Sequence, residues 1–188
     1  MKTSILDRQF SKSKGEVSLS LYAFLFSEMV QYCLNNVEQS QQLEDKLHEV
    51  GVRVGYRVLD LLCYRDKANR REVRLLSMLS FVSQTCWRAL FGHAGDLLKG
   101  QDSELEYMIN DKSLLLTKFI SVPRDFSHIN CGAYAAGIVE GILQSAEFPC
   151  EASAHTVEES TNPPTRSTTV LIRFASEVVE REKRLQNS

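Results

Sequence analysis

Asn130-Cys131-Gly132-Ala133-Tyr134-Ala135-Ala136-Gly137-Ile138-Val139-Glu140-Gly141-Ile142-Leu143 is the stretch whose reading sets the fold. Its apolar residues recur at helical spacing, with Tyr134, Ile138 and Ile142 on one line and Cys131, Ala135 and Val139 on the next. Beside them Ala133, Gly137 and Gly141 form a line with almost no side chain. A glycine inside a helix costs about 1 kcal/mol relative to alanine, and close approach of another backbone is the usual compensation. The stretch reads as a buried helix onto which other elements pack directly, and a packing role for the small line outweighs a ligand groove.

Working outward, 188 residues are enough for one domain that buries about 70% of the surface its unfolded chain exposes, so neither metal nor disulfide is needed for folding. A net charge of −2, with 24% charged and 43% hydrophobic residues, fits a globular protein with no overall pull towards nucleic acid or anionic lipid. The longest apolar run, Leu19 to Ser27, is too short for a membrane span, and the N-terminus has no signal-peptide pattern, which predicts a cytosolic chain. The five cysteines, Cys33, Cys63, Cys86, Cys131 and Cys150, are odd in number and mostly embedded in apolar helical patterns, as expected of reduced core residues.

Residues 1–15, with Lys2, Arg8, Lys12 and Lys14 and few large apolar side chains, are expected to form a flexible N-terminal arm. Ser18 is placed to cap a helix running from Leu19 to about Asn35, whose apolar residues cover more than one stripe. That excess predicts a second buried face, made against the domain or against another protein. The next helix, about Ser40 to Cys63, carries Val54 and Val58 among its apolar positions and Gly51 and Gly55 one turn apart, where a neighbour can come close. A basic corner, Arg65 to Arg74, reads as a solvated turn, with weak contact to an anionic membrane as the alternative. A third helix, Glu72 to Phe91, is expected to bury Val73, Leu76, Leu79, Phe81, Val82, Cys86, Trp87, Leu90 and Phe91, and to stop at Gly92.

The period then changes from helix to strand. Glu104 to Asn110 alternates and pairs with Asp96 to Lys99 across a turn at Gly100. Leu114 to Val122 is a short strand or an extended crossover ended by Pro123. After the organising helix, Cys150 to Val157 and Thr168 to Phe174 form two more strands, separated by a loose loop from Glu158 to Ser167 that contains Asn162-Pro163-Pro164. A charged helix from Ser176 to Arg184 frays into the C-terminus.

Catalytic signatures are missing from the sequence. His48, His93, His128 and His155 fall in unrelated segments without metal-ligand spacing, and no phosphate-cradling glycine loop or nucleophile elbow is present. Cys86 and Cys131 have apolar neighbours and no adjacent base, which makes inert thiols. No catalytic residue, metal site or cofactor is assigned, and no strand interleaves basic with aromatic residues as a nucleic-acid platform would.

Several segments, in order along 16–176, resemble the Bet-three-like family of subunits of TRAPP, the transport protein particle: Glu16 to Glu28, Gly51-Val52-Arg53-Val54-Gly55-Tyr56-Arg57-Val58-Leu59-Asp60, Trp87 to Gly92, Ile120-Ser121-Val122-Pro123, Asn130-Cys131 with Ala136 to Glu140, and Thr168 to Phe174. The resemblance implies an α+β fold, a helix layer on one face of a small antiparallel sheet of about four strands, spanning 16–176 and followed by a charged helix or tail over 177–188. It implies a non-enzymatic subunit of a vesicle tether, pairing as a heterodimer with a Bet-three-like subunit through the first helices and meeting a sedlin-like longin subunit elsewhere. Partner contact is then expected at Leu19, Tyr22, Phe26, Met29, Val30, Cys33, Val54 and Val58, with Gly51, Gly55, Ala133, Gly137 and Gly141 reserved for close helix packing. The family's assembly promotes nucleotide exchange on an early-secretory Rab GTPase, between endoplasmic reticulum and cis-Golgi, with at most peripheral membrane contact by this subunit. The Bet-three paralogue carries an acyl chain on a cysteine where this chain reads Arg70-Arg71-Glu72-Val73-Arg74, so acylation is not transferred. An apolar tunnel, open or filled by Trp87 and Phe91, and with it an acyl-binding module, is the alternative.

Overall fold

The computed structural model of the chain describes residues 18–37, 40–66, 71–100, 105–120, 129–159 and 165–186. The N-terminal arm, the centre of the basic corner, Pro123, His128 and Asn162 to Pro164 lie outside them. Helix α1 (Leu19–Asn35) is followed by α2 (Ser40–Asp66), the broken helix α3 (Leu75–Ser80) with a π-helical segment (Phe81–Cys86) and α4 (Trp87–Phe91), the hairpin β1 (Asp96–Lys99) and β2 (Glu106–Asp111), α5 (Ala133–Ser145), β3 (Cys150–Glu159), β4 (Thr165–Phe174) and α6 (Ser176–Gln186).

The strands form one antiparallel sheet in the order β1-β2-β4-β3, so β1 and β3 are its edges. Alternation dictates the faces. Tyr107 and Ile109 of β2 lie opposite Ile172 and Val170 of β4, and Ala152 of β3 lies opposite Ile172; all five point into the core. The helix layer meets that face through Ala135, Val139, Ile142 and Leu143 of α5 and through Val82, Cys86 and Trp87 of the broken helix. The α+β architecture is the one expected.

Local chemistry sets the element ends. Ser18 occupies the cap position of α1, but its carbonyl does the work, accepting from Leu21 N (3.0 Å) and Tyr22 N (3.3 Å), while its side chain makes no cap bond. The third helix begins at Leu75, three residues later than the pattern predicts, because Glu182 of α6 accepts from Leu75 N (3.2 Å) and Arg74 Nε (2.8 Å) and supplies the cap. Val73 and Leu76, expected in the core, are consequently exposed, and Leu75 and Met78 take their place. In the π-helical segment Trp87 N bonds to Val82 O, one residue further back than in an α-helix, and the Ser83 carbonyl accepts from Gly95 N at 2.9 Å. Gly92 ends the run with a left-handed φ of 87°.

Three other expectations change. Residues 114–120 are a series of tight turns, neither strand nor extended crossover: Thr117 gives both its N–H (3.1 Å) and its hydroxyl (3.0 Å) to Leu114 O, curling the chain so that Leu114 and Leu116 enter the core. The β3–β4 ladder continues to Glu159 opposite Thr165, shortening the expected loop. Helix α6 is docked on the domain, with Val178 buried and the Arg181 guanidinium 4.3 Å from the centre of the Phe148 ring.

Candidate subunit interface

The seam between α2 and α5 fixes where α1 can lie. A Cβ added to Gly137 would overlap the His48 carbonyl oxygen, and one on Gly141 would overlap that of Val52; on the other side Gly51 and Gly55 face the carbonyls of Tyr134 and Ile138 in the same way. Four glycines thus interlock two backbones. Ala133, the remaining member of the small line, is buried further along α5, beside Asn130 and β3.

With α2 drawn so close, the first turn of α5 presents Tyr134 to α1. Phe26 packs on it at 5.5 Å between ring centres, tilted by 48°. Phe26 and Cys33 are core residues of this chain, and Tyr22, Met29 and Val30 are partly covered against the same core. Burial, followed by the nearby Tyr134, pushes the Tyr22 hydroxyl up to about 12, so it stays protonated. Val54 and Val58 of α2 are likewise partly buried. Of the eight residues assigned to a partner from sequence, only Leu19 is exposed, at 41%.

A different row points outward. Leu21 (62% exposed), Phe24 (72%), Leu25 (67%) and Tyr32 (71%) stand on one side of α1, at spacings of one, three and four residues with Glu28 among them. Glu28 is the helix's sole ionisable acid or base of the Asp, Glu, Lys, Arg class. The sequence shows that the apolar residues of this helix cover more than one stripe but not which stripe faces out, since a helix apolar on most sides has no marked inner stripe. The available signal was the spacing itself: Tyr22, Phe26, Met29 and Cys33 make one stripe and Leu21, Phe24, Leu25, Glu28 and Tyr32 another.

The chemistry of this surface is contact. Burial raises the thiols of Cys86 and Cys150 to about 12 and that of Cys131 to about 11, far from a reactive thiolate at neutral pH. Among the described residues no group of three or more His, Cys, Asp or Glu is placed to hold a metal. Asp111, buried, accepts from Trp87 Nε1 (2.8 Å) and Ser113 N (2.9 Å) and lies 2.9 Å from His93 Nε2, pinning the end of β2 to α4.

The family model for the transport protein particle (TRAPP) component matches residues 22–175. The chain belongs to this family. Among TRAPP relatives, trafficking protein particle complex subunit 5 of Dictyostelium discoideum is 48% identical over 180 residues, 95% of this chain and 96% of that one. The Homo sapiens protein of the same name is 38% identical over 186 residues, 98% of this chain and 95% of its own. In fold, the TRAPP chain is similar to a crystal structure of trafficking protein particle complex subunit 3 from Naegleria fowleri covalently bound to palmitic acid, with TM-score 0.70 and 14% identity over 84% of this chain and 95% of that one. A TRAPP component has other subunits of the trafficking complex as partners, and the outer row of α1 is a surface on which one can sit.

Proposed function

We propose that this TRAPP component is a non-catalytic structural subunit whose α1 outer face pairs with a Bet-three-like subunit, and which meets a sedlin-like longin subunit on another surface. The observation that carries this reading is the row Leu21, Phe24, Leu25 and Tyr32, large apolar side chains left in water on a helix whose other stripe is already used by the core. Scattered apolar residues on a surface need no explanation, but a contiguous row on one helix marks a binding face. In this reading the assembled complex, not this chain, promotes nucleotide exchange on an early-secretory Rab GTPase, and the subunit works from the cytoplasm at endoplasmic reticulum and cis-Golgi membranes.

Acyl binding is the weaker reading. The described residues leading into α3, Arg71 to Arg74, contain no cysteine, and Trp87 and Phe91 pack edge to face in the core with ring centres 4.8 Å apart. The test is light scattering after size exclusion, on the chain alone and co-expressed with a Bet-three-like subunit from the same source. A one-to-one complex that replaces self-association is expected; a well-dispersed monomer that ignores the partner overturns the proposal.

A further inference from the structure

Among the described residues, the sheet edge at β3 carries no further strand. Strand β3 pairs with β4 on one side only, across ten residues from Cys150 to Glu159 in unbroken register. Edge strands of that length are usually blunted by lysine, proline or a bulge. The sequence of β3, CEASAHTVEE, has no lysine or proline, and its ladder has no bulge.

What the fold does instead is occupy one outward position. The N–H groups of an antiparallel edge point alternately to the neighbour and outward. Ala152 points outward, its N–H donating to Glu140 Oε2 at 2.8 Å. His48 Nε2 stands 3.2 Å from the same carboxylate oxygen, an ion-pair contact without hydrogen-bond alignment. The next outward positions are Ala154 and Thr156, whose backbone groups on that side meet no partner among the described residues. They open on a groove of about 800 Å³ between β3 and the polar face of α2, lined by Glu151 to Thr156 on one wall and by Gln41, Glu44, Asp45 and His48 on the other.

The charge of the groove selects what enters. Its described lining holds four carboxylates, Glu44, Asp45, Glu140 and Glu151, and neither lysine nor arginine. Glu44 and Glu140 are engaged by Asn130 N and Ala152 N, while Asp45 and Glu151 are exposed at the rims. An incoming strand would place alternate side chains towards α2 and towards the outer face of the sheet, within the field of Asp45 on one side and Glu151 on the other.

We propose that the edge of β3 at Ala154 and Thr156 takes an extended Lys- or Arg-rich segment of a partner protein as a fifth strand, its backbone read by the ladder and its charge by Asp45 and Glu151. The docking site is remote in kind from the α1 row and does not rest on the heterodimer reading. The test titrates the full chain with a labelled peptide of alternating Lys and Val, following fluorescence anisotropy and amide exchange. Binding with slowed exchange at Ala154 and Thr156 is expected. Thr156→Pro removes an outward N–H at an edge, where proline is tolerated, and should weaken binding about tenfold with the circular dichroism unchanged. Asp45→Lys combined with Glu151→Lys should weaken it by about tenfold or more. A peptide with its amides alternately N-methylated probes the same bonds without touching the protein and should not bind. Equal binding of the methylated peptide, equal binding of a Glu/Val peptide, or no binding by any peptide overturns the proposal.

Discussion

Helices α1 and α5 are built from similar proportions of apolar residues, yet nine of the thirteen residues of α5 are buried and only Phe26 and Cys33 are buried in α1. The difference lies in side-chain size and not in hydrophobicity. In α5 the small residues let α2 settle backbone against backbone, with the sheet on the opposite side, so the helix is covered on both its apolar faces. In α1 the large residues hold neighbours away, and only the stripe that meets Tyr134 finds cover. An apolar helix of small residues is thus finished by its own chain, whereas one of large residues calls for a second molecule.

The hardest blow to this contrast is Gly137→Leu. Its side chain has no space beside the His48 carbonyl, so α2 and α5 must separate, and we expect loss of folding, a cost above about 3 kcal/mol, seen as absence of a cooperative thermal transition. An unchanged melting temperature would remove the close seam from the account. Next is Phe26→Glu, which puts a charge where 4% of the residue is exposed; a loss of roughly 3–5 kcal/mol should appear in urea unfolding of the chain itself, before any partner is added. Phe24→Glu and Leu25→Glu invert that result: stability within about 0.5 kcal/mol of the parent, but pairing weakened by about 2 kcal/mol or more in pull-down or light scattering. Should both variants still pair normally, the outer row is not the interface.

The smallest effect lies at the polar end of the α2–α5 seam. The His48 pKa is raised first by its contact with Glu140, against the opposing effect of burial, with that carboxylate's charge, the Ala152 backbone and Asp45 adding less. A group whose folded pKa is raised adds stability in full below its unfolded value of 6.5 and loses it as pH rises through the folded value. His48→Gln should therefore be less stable than the parent below about pH 6, with the gap narrowing as the pH rises past neutrality. A gap independent of pH in urea midpoints would mean that the pair acts by shape alone.

Much of this was legible in the residues. The line Ala133, Gly137, Gly141 announced a backbone-to-backbone seam, and the alternation around Tyr107 and Ile172 set the two central strands facing the core. What escaped depended on distant partners. The start of α3 is set by Glu182, at the other end of the domain, so no local pattern could place it at Leu75 or expose Val73. The docking of α6 rests on Phe148 and Glu147, whose carbonyl accepts from Arg181 Nη1 at 2.8 Å. The groove beside β3 likewise joins Asp45 to Glu151, residues that nothing in the sequence brings together. The outer row of α1 was missed for the opposite reason: the residues were plain, but their phase is fixed only once Tyr134 is in position.

The widened turn at Phe81–Cys86 works as a phase corrector. Each residue of an α-helix turns the chain by about 100°, so a buried stripe leading from Leu75 through Leu79 and Val82 to Cys86 would, in an unbroken α-helix, next face inward at Leu90. The extra residue held in the π turn delays the count by one, and Phe91 is the residue that arrives in the core, with the Trp87 indole aligned on Asp111. Straightening that turn to plain α-helix with every residue kept would rotate all that follows by about 100° and turn the indole off the carboxylate, whereas removing one residue between Phe81 and Cys86 would let a plain α-helix keep the bearing. Length, at this one place, is a coordinate of rotation.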